Sequence, residues 1–266
     1  MRTLSTAISV AAAGALALAL GLASLPLTAA DAGSTWRVTI RSNTEQVVAG
    51  HKIVLTGHVR PIAAAAGQRL RLQEKFKPTA PWKTRNSAKV TRIGTYRLVT
   101  RPTTGFTHRY RVLMPAVAHH QRGVSPIVKV KVYAWSPLIE QASVNNDHMG
   151  FGSVNINGTT YDDSVALAYD TSGSIEFNVN RDCTRLRGTF GLSDDSTAGG
   201  QGELSVAADD GAPVYTKTFE VGQSETTGLA FATAPLKLRL ETHSTSTTVG
   251  TAGLGAFGSP EVLCSH

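Results

Sequence analysis

The sequence predicts an all-β protein, and three observations support that fold class. Apolar residues make up 41% of the 266 residues and charged residues 17%, a composition too apolar for a disordered chain. Thr, Ser, Val and Gly are abundant, and apolar residues at helical spacing are hard to find after residue 30. The 25 glycines and 11 prolines indicate frequent turns, as a chain of short strands requires.

The first 32 residues have the features of a secretory signal peptide. Arg2 precedes an apolar stretch from Ile8 to Leu27, which contains the helix breaker Pro26, and Ala30-Asp31-Ala32 forms an A-x-A cleavage site. We therefore expect a mature chain that begins near Gly33 and is secreted, either extracellular or associated with the cell surface. The alternative is an uncleaved membrane anchor, because about 20 apolar residues are enough to span a bilayer.

Charge divides the remaining sequence into two parts. From Gly33 to Ala134 there are 19 lysines and arginines against two acids, whereas from Trp135 to His266 there are six against 16. Opposite net charges of +17 and −10 indicate two domains with different partners. After a valine-rich strand that ends near Val132, Pro137 is expected to interrupt strand pairing. We therefore predict a basic domain at 33–134 and an acidic domain at 135–266.

Seven strand-like runs in the basic domain predict a β-sandwich. Their alternating apolar residues, such as Leu70 and Leu72 or Tyr110 and Val112, are expected to form its core. The runs cover residues 36–41, 52–60, 68–75, 87–91, 95–100, 108–114 and 124–133.

Four segments of the basic domain also match a known pattern. They are the strand Gln68-Arg-Leu-Arg-Leu-Gln73, the later Trp82, Gly94-Thr-Tyr96 and Tyr110-Arg-Val112. Over about 100 residues the domain resembles the immunoglobulin-like domains of secreted actinobacterial proteins. The resemblance implies a spacer or adhesive module and carries no catalytic residues.

Strand alternation predicts a basic face on this domain. Where Leu70 and Leu72 point inward, their neighbours point outward, and in the immunoglobulin order the third, sixth and seventh strands lie side by side. We therefore expect one face that attracts an anionic cell-wall polymer or the envelope surface, with no specific nucleic acid. The alternatives are a solvated face or one neutralised by the acidic domain. The six cations are Arg69, Arg71, Arg109, Arg111, Lys129 and Lys131.

The two cysteines, Cys183 and Cys264, are expected to form a disulfide. In an oxidising compartment two thiols in one small domain most simply pair, and here the bond closes a loop of 82 residues. On the chain-entropy model such a bond stabilises the fold by about 4 to 5 kcal/mol.

Several segments of the acidic domain follow one another in a recognisable order. They are Val154–Tyr161, Ser174–Val179, Gly191–Asp195, Glu203–Val206, Leu236–Leu240 and Glu261–Cys264. Together they resemble the NPCBM family of carbohydrate-binding modules, which are galactose-binding-like. The resemblance covers about 115 residues and implies a jelly-roll β-sandwich of a kind often attached to glycosidases, whose loops hold a sugar.

A sugar site combines an aromatic face with fixed polar groups. The glycine-bearing loops that match the family pattern supply His148, Asp194 and Asp195, and Phe257 is the only aromatic residue of the terminal segment Gly250–Ser259. These four residues are the predicted carbohydrate-binding site. A purely structural sandwich is the alternative.

The sequence predicts no cofactor, except that Asp194, Asp195 and Glu203 could offer oxygen atoms to a structural Ca²⁺ ion. Their spacing differs from an EF-hand loop, and aspartates that cap turns are the alternative. The chain contains no G-x-S-x-G, H-E-x-x-H or C-x-x-C motif. We expect a secreted, non-catalytic protein that binds glycans or cell-envelope polymers. A secreted hydrolase of unfamiliar type and a protein–protein interaction module remain as alternatives.

Overall fold

The structure, a computed structural model, confirms the all-β sandwich prediction. Across its described residues there are 22 strands, one short helix, α1 (Ile62–Ala65), and one 3-10 turn at Leu138–Glu140. None of the helices in this part of the chain has the length and hydropathy needed to cross a membrane. The predicted signal peptide lies outside the described residues, which are 34–117, 119–168, 171–247 and 252–266.

Two sheets form the first sandwich. In one, β5 is paired with β2 and β3 on one side and with β8 on the other. The second runs in the order β4–β12–β9–β6–β7, with β11 on β9, and β1 pairs separately with β10. The strands are β1 (Ser34–Thr35), β2 (Arg37–Val38), β3 (Arg41–Ser42), β4 (Gln46–Val48), β5 (Ile53–Arg60), β6 (Arg69–Lys75), β7 (Lys83–Lys89), β8 (Thr95–Thr100), β9 (Phe106–Met114), β10 (His120–Gln121), β11 (Gly123–Val124) and β12 (Val128–Pro137).

Alternating residues of these strands form the first core. Leu70, Leu72, Tyr110 and Val112 are all fully buried, as strand alternation predicts. The tryptophan of this core is Trp36, which is 2% exposed and donates a hydrogen bond from Nε1 to a backbone carbonyl. The predicted third, sixth and seventh strands are β6, β9 and β12, and they do lie side by side.

The strand β12 crosses the predicted domain boundary. The sequence predicts that it ends near Val132, but it continues to Pro137 and changes partner on the way. Its first half pairs with β9 and its second half pairs with the last strand of the chain. Pro137 can occupy the final position because this end of β12 is paired on one side, with β22, so its missing N–H removes no hydrogen bond from the interior of the sheet.

The second sandwich is built from the ten remaining strands. One sheet has the order β14–β15–β22–β17–β20 and the other β13–β16–β21–β18–β19. Between them lies a separate core that includes Phe177, Phe190, Phe219 and Phe257. The strands are β13 (Ala142–Asp147), β14 (Met149–Ile156), β15 (Thr159–Leu167), β16 (Ser172–Asn178), β17 (Cys183–Leu192), β18 (Gln201–Ala208), β19 (Pro213–Glu220), β20 (Ser224–Ala230), β21 (Lys237–Ser244) and β22 (Gly255–Cys264).

The predicted disulfide is confirmed. Cys183 begins β17 and Cys264 ends β22, and the two residues are opposite each other in the register of these strands. Both cysteines are buried. Ala134 of β12 is the other neighbour of Cys264, so the bond lies where the two sandwiches join.

Candidate functional site

The hairpin of β14 and β15 turns on Asn157 and Gly158, whose φ angles are 48° and 71°. Asn followed by Gly adopts this left-handed conformation readily, so two residues suffice to reverse the chain. Asp194 supports the turn, since its Oδ2 accepts a hydrogen bond of 2.9 Å from the Gly158 N–H and its own N–H donates to the carbonyl of Asn155. This carboxylate therefore helps to hold the hairpin in place.

A small apolar cluster, separate from the main core, packs the hairpin against the rest of the sheet. It contains Ile156 and Tyr161 of the hairpin together with Ala256 of β22. A Cβ atom at Gly258 would lie 2.8 Å from the Tyr161 ring and 3.0 Å from the Ile156 side chain. Glycine at this position lets the hairpin approach β22 closely.

A groove of about 290 Å³ lies beside β14, and we call it the β14 groove. Phe151 lines it and is 49% exposed, although its ring forms a T-shaped pair with the buried Phe177, with 6.2 Å between ring centroids. Gly150 and Gly152 flank Phe151 in the chain and carry no side chain that could cover the ring. The groove is also lined by Ser153, Ser164, Ser193, Asp195 and Leu254.

The polar groups of the β14 groove are partly fixed by hydrogen bonds. Ser153 donates from Oγ to Oδ1 of Asp162 at 2.6 Å, and the Oγ of Ser193 accepts from the Asp195 N–H at 3.2 Å. The Asp195 carboxylate is exposed, and among the described residues its one hydrogen-bond partner is the Ser193 hydroxyl, at 3.5 Å. It therefore retains most of its capacity to accept hydrogen bonds from a ligand.

The four residues of the predicted carbohydrate site are not brought together. Asp195 lines the β14 groove, and Asp194 beside it is turned toward the hairpin. His148, with a φ of 56°, precedes β14, whereas Asp194 contacts the turn that follows it. A strand of eight residues separates the two by roughly 25 Å.

The structure does not leave Phe257 available for binding, as the predicted carbohydrate site requires. The ring is fully buried and packs against Phe190, with 5.0 Å between ring centroids, so it has no free face for a sugar. The cause is strand order: β22 lies between β15 and β17, and the alternation of its side chains turns Phe257 into the core. Sequence reasoning missed Phe151, whose ring is exposed. The two glycines that flank Phe151 are the sequence feature that could have indicated an exposed ring here.

A second polar surface covers the outer face of the other sheet. Strand register aligns five residues in one row, and a groove of about 400 Å³ follows it. Among the described residues that line this groove there is no Phe, Tyr or Trp, so it offers hydrogen bonds without an apolar platform. The row consists of Asp147, Ser174, Glu241, Ser205 and Thr216.

The acids considered as calcium ligands do not form a cluster. Asp194 and Asp195 follow β17, whereas Glu203 lies on β18 in the other sheet. In the described ranges one group of three residues has ligand atoms within 4.8 Å of one another, and its two sulfur atoms are already joined in the disulfide. That group is Cys183, Cys264 and His266.

The six cations of the predicted basic face lie on β6, β9 and β12, at positions that alternate with buried residues. One of them, Lys131, pairs with Asp182 of the acidic domain at 3.6 Å. Arg111 stacks on Trp82, with 4.1 Å from its Cζ to the ring centroid. Burial and the charge of Arg122 lower the pKa of Arg111, which indicates that positive charge is concentrated here.

A buried ion cluster joins β6 to β7 and β9. Glu74 is 4% exposed; its Oε2 accepts a hydrogen bond of 2.5 Å from Nε of Arg85, and its Oε1 lies 2.7 Å from Nδ1 of His108. Burial raises the pKa of Glu74, but the interactions with His108, Tyr110 and Arg85 together outweigh burial and lower the pKa to about 2. The carboxylate is therefore ionised inside the fold.

These features define a β-sandwich protein with a groove that combines an aromatic ring and polar groups. No family model and no curated protein matches the sequence. The chain is similar to the CBM51 module from Clostridium perfringens GH95 in complex with methyl-galactose, with 13% identity, 48% of this chain and 99% of that chain covered, and a TM-score of 0.39. It is also similar to the tandem CBM51 modules of a family 98 glycoside hydrolase from Streptococcus pneumoniae, with 10% identity, 82% of each chain covered and a TM-score of 0.41.

Proposed function

We propose that this protein is an exported, non-catalytic glycan-binding protein. In this proposal the acidic domain is a carbohydrate-binding module of the NPCBM type, and the basic domain is an immunoglobulin-like module that presents it. The observation that carries the proposal is the half-exposed ring of Phe151, which shares the β14 groove with the exposed carboxylate of Asp195.

The chemistry of a sugar fits this pairing of groups. One face of a pyranose ring carries C–H groups that pack on an aromatic ring, while its hydroxyls donate to carboxylates and exchange hydrogen bonds with serines. The β14 groove, at about 290 Å³, is close to the lower end of small-ligand pockets, which is about 300 Å³. We therefore propose that it binds the end of a glycan chain and covers one or two sugar residues.

The polar row on the other sheet of this sandwich is the alternative location for a glycan-binding site. It is wider, at about 400 Å³, but it has no ring against which the apolar face of a sugar could pack. The two grooves lie on different sheets, so substitutions in one leave the other unchanged.

The test is binding of the mature full chain to a glycan array, followed by calorimetry with the best ligand. Methyl-galactose, the ligand in the CBM51 structure named above, is the first ligand to test. Phe151→Ala and Asp195→Asn should each weaken binding about tenfold or more, which corresponds to about 1.4 kcal/mol. Val214→Ala is the matched control, since Val214 is also 49% exposed but lies on β19. It should bind like the wild type.

Two results would overturn the assignment. One is full binding by the Phe151→Ala variant while it keeps the thermal stability of the wild type. The other is loss of binding in Glu241→Gln, a substitution in the polar row, without loss in Phe151→Ala.

Two further measurements address the other parts of the proposal. N-terminal sequencing of protein collected outside the cells should give a chain that begins near Gly33, whereas a retained N-terminus would favour the membrane anchor. Incubation with the best glycan should release no sugar by mass spectrometry, and released sugar would instead favour the hydrolase.

A further inference from the structure

On the outer face of β6, β9 and β12, cations of neighbouring strands lie directly opposite one another and form a continuous basic area. Arg109 of β9 is opposite Lys75 of β6 on one side and Lys129 of β12 on the other. Adjacent strands lie about 4.8 Å apart, so these three cations form a row about 10 Å long. Arg111 and Arg71 extend the basic area on one side of this row, two and four residues along the register, and Lys131 extends it on the other.

Acidic side chains do not neutralise this face. The basic domain has two acids, of which Glu74 is buried and already paired with Arg85 and His108. The other, Glu45, lies at the edge of the face, in a groove that it shares with Lys129 and Lys131. Among the described residues, the one ion pair made by the six cations is that of Lys131 with Asp182. The remaining five therefore keep an unpaired positive charge.

The arginines are held in place while most of their donors stay free. Arg111 donates from Nε to the Gln73 side chain at 2.9 Å and stacks on the half-buried Trp82. Arg69 donates to the Ser87 hydroxyl at 2.7 Å. A guanidinium group has five N–H donors, so each of these arginines retains several for a ligand. Groups that are already ordered lose less conformational entropy on binding.

We infer that this face binds a linear polymer of phosphodiester units. Four of the six cations are arginines, whose planar forks match the oxygens of phosphate better than ammonium groups do. One phosphate cannot contact cations spread over three strands, whereas a chain with a charge on every repeat can. The inference is independent of the glycan site, because the face and the β14 groove belong to different domains.

The experiment compares two triple variants of the mature full chain that lose the same charge. Arg71→Gln/Arg109→Gln/Lys129→Gln removes three cations of the face. The control is a triple substitution to Gln of exposed arginines on the opposite sheet, at β2, β5 and β8. Those residues are Arg37, Arg60 and Arg97.

The probe is a poly(glycerol phosphate) chain, measured by calorimetry between 50 and 200 mM salt. If about four phosphates are neutralised, wild-type affinity should fall about 50-fold across this range. The variant of the face should bind at least tenfold more weakly than the wild type at 50 mM, whereas the control should change less than twofold. Arg111→Lys keeps the charge but loses the planar fork, and a loss of threefold or more is expected.

Several outcomes would overturn the inference. Equal losses in the two triple variants would show that net charge alone attracts the polymer. Equal affinity for polyglutamate would remove the phosphate assignment, and binding to phosphatidylglycerol vesicles without binding to the polymer would identify a membrane surface instead. A preference of tenfold or more for an oligothymidylate over poly(glycerol phosphate) would point to recognition of bases.

Discussion

Replacing Glu74 by glutamine tests the buried ion cluster of the first domain. The substitution preserves the size of the side chain but removes the negative charge that Arg85 and His108 share. Two basic groups would then face a neutral amide; of these two, His108 is buried, whereas the Arg85 side chain is 45% exposed. Removal of one partner from a buried pair destabilises a protein because the remaining charge is left without compensation.

The size of the effect follows from the pKa of the carboxyl group. In the fold it is lowered from 4.5 to about 2, a difference of about 2.5 pH units, and at 1.36 kcal/mol per unit this amounts to about 3 kcal/mol. Because the folded-state pKa of Glu74 is below the unfolded one, this stabilisation is complete above about pH 4.5. It is lost as the pH falls toward 2.

The assay is urea unfolding of the wild type and Glu74→Gln, followed by tryptophan fluorescence, at several values of pH from 7 to 2.5. Trp36 and Trp82 both report on the first domain. We expect the free energies of unfolding to differ by about 3 kcal/mol at pH 7 and by less than about 1 kcal/mol at pH 2.5. The wild type and the variant share all other carboxylates, so the contributions of these groups cancel when the two free energies of unfolding are subtracted.

The matched control is Glu45→Gln, since Glu45 is the other acid of the basic domain and is exposed. This change should alter the free energy of unfolding by no more than about 0.5 kcal/mol at any pH. The reasoning fails if Glu74→Gln is equally harmless at pH 7. It also fails if the large difference persists unchanged at pH 2.5.

Three other predictions concern the second domain. Replacing Cys183 and Cys264 by serine should reduce its stability by up to about 4 to 5 kcal/mol in urea unfolding, and a wild type treated with reductant should show the same loss. Phe257→Ala should destabilise the domain by about 3 to 5 kcal/mol, because the ring is fully buried, yet the folded variant should still bind a glycan in the β14 groove. Gly158→Ala should cost about 1 kcal/mol in thermal unfolding, as a side chain is strained at a φ of 71°, and an unchanged melting temperature would show that the hairpin turn adapts.

Strand alternation was sufficient to predict the inner faces of the basic domain. Leu70 and Leu72 point inward and Arg69 and Arg71 outward whatever the partner of their strand, because alternation is a property of the single strand. The same reasoning, combined with strand order, placed three basic strands next to one another. Features set by one strand and its period were therefore predictable.

Features that depend on which distant strand becomes a neighbour could not be predicted in the same way. Phe257 was expected in an open terminal loop, but β22 became a central strand between β15 and β17. The β14 groove likewise depends on contacts between the hairpin and residues 193–195, such as the bond from the Gly158 N–H to Asp194. Nothing in the local sequence of Phe151 specifies these contacts.

The junction between the two sandwiches indicates whether their opposite charges hold them together. If charge held the domains together, several ion pairs would be expected between them, yet in the described part of the chain one ion pair, Lys131 with Asp182, crosses the junction. What joins the domains is backbone pairing of β12 with β22, beside the Cys183–Cys264 disulfide. A junction made of backbone hydrogen bonds does not depend on charge. Most of the charge of the basic face and of the second sandwich is therefore not used to hold the two parts of the chain together.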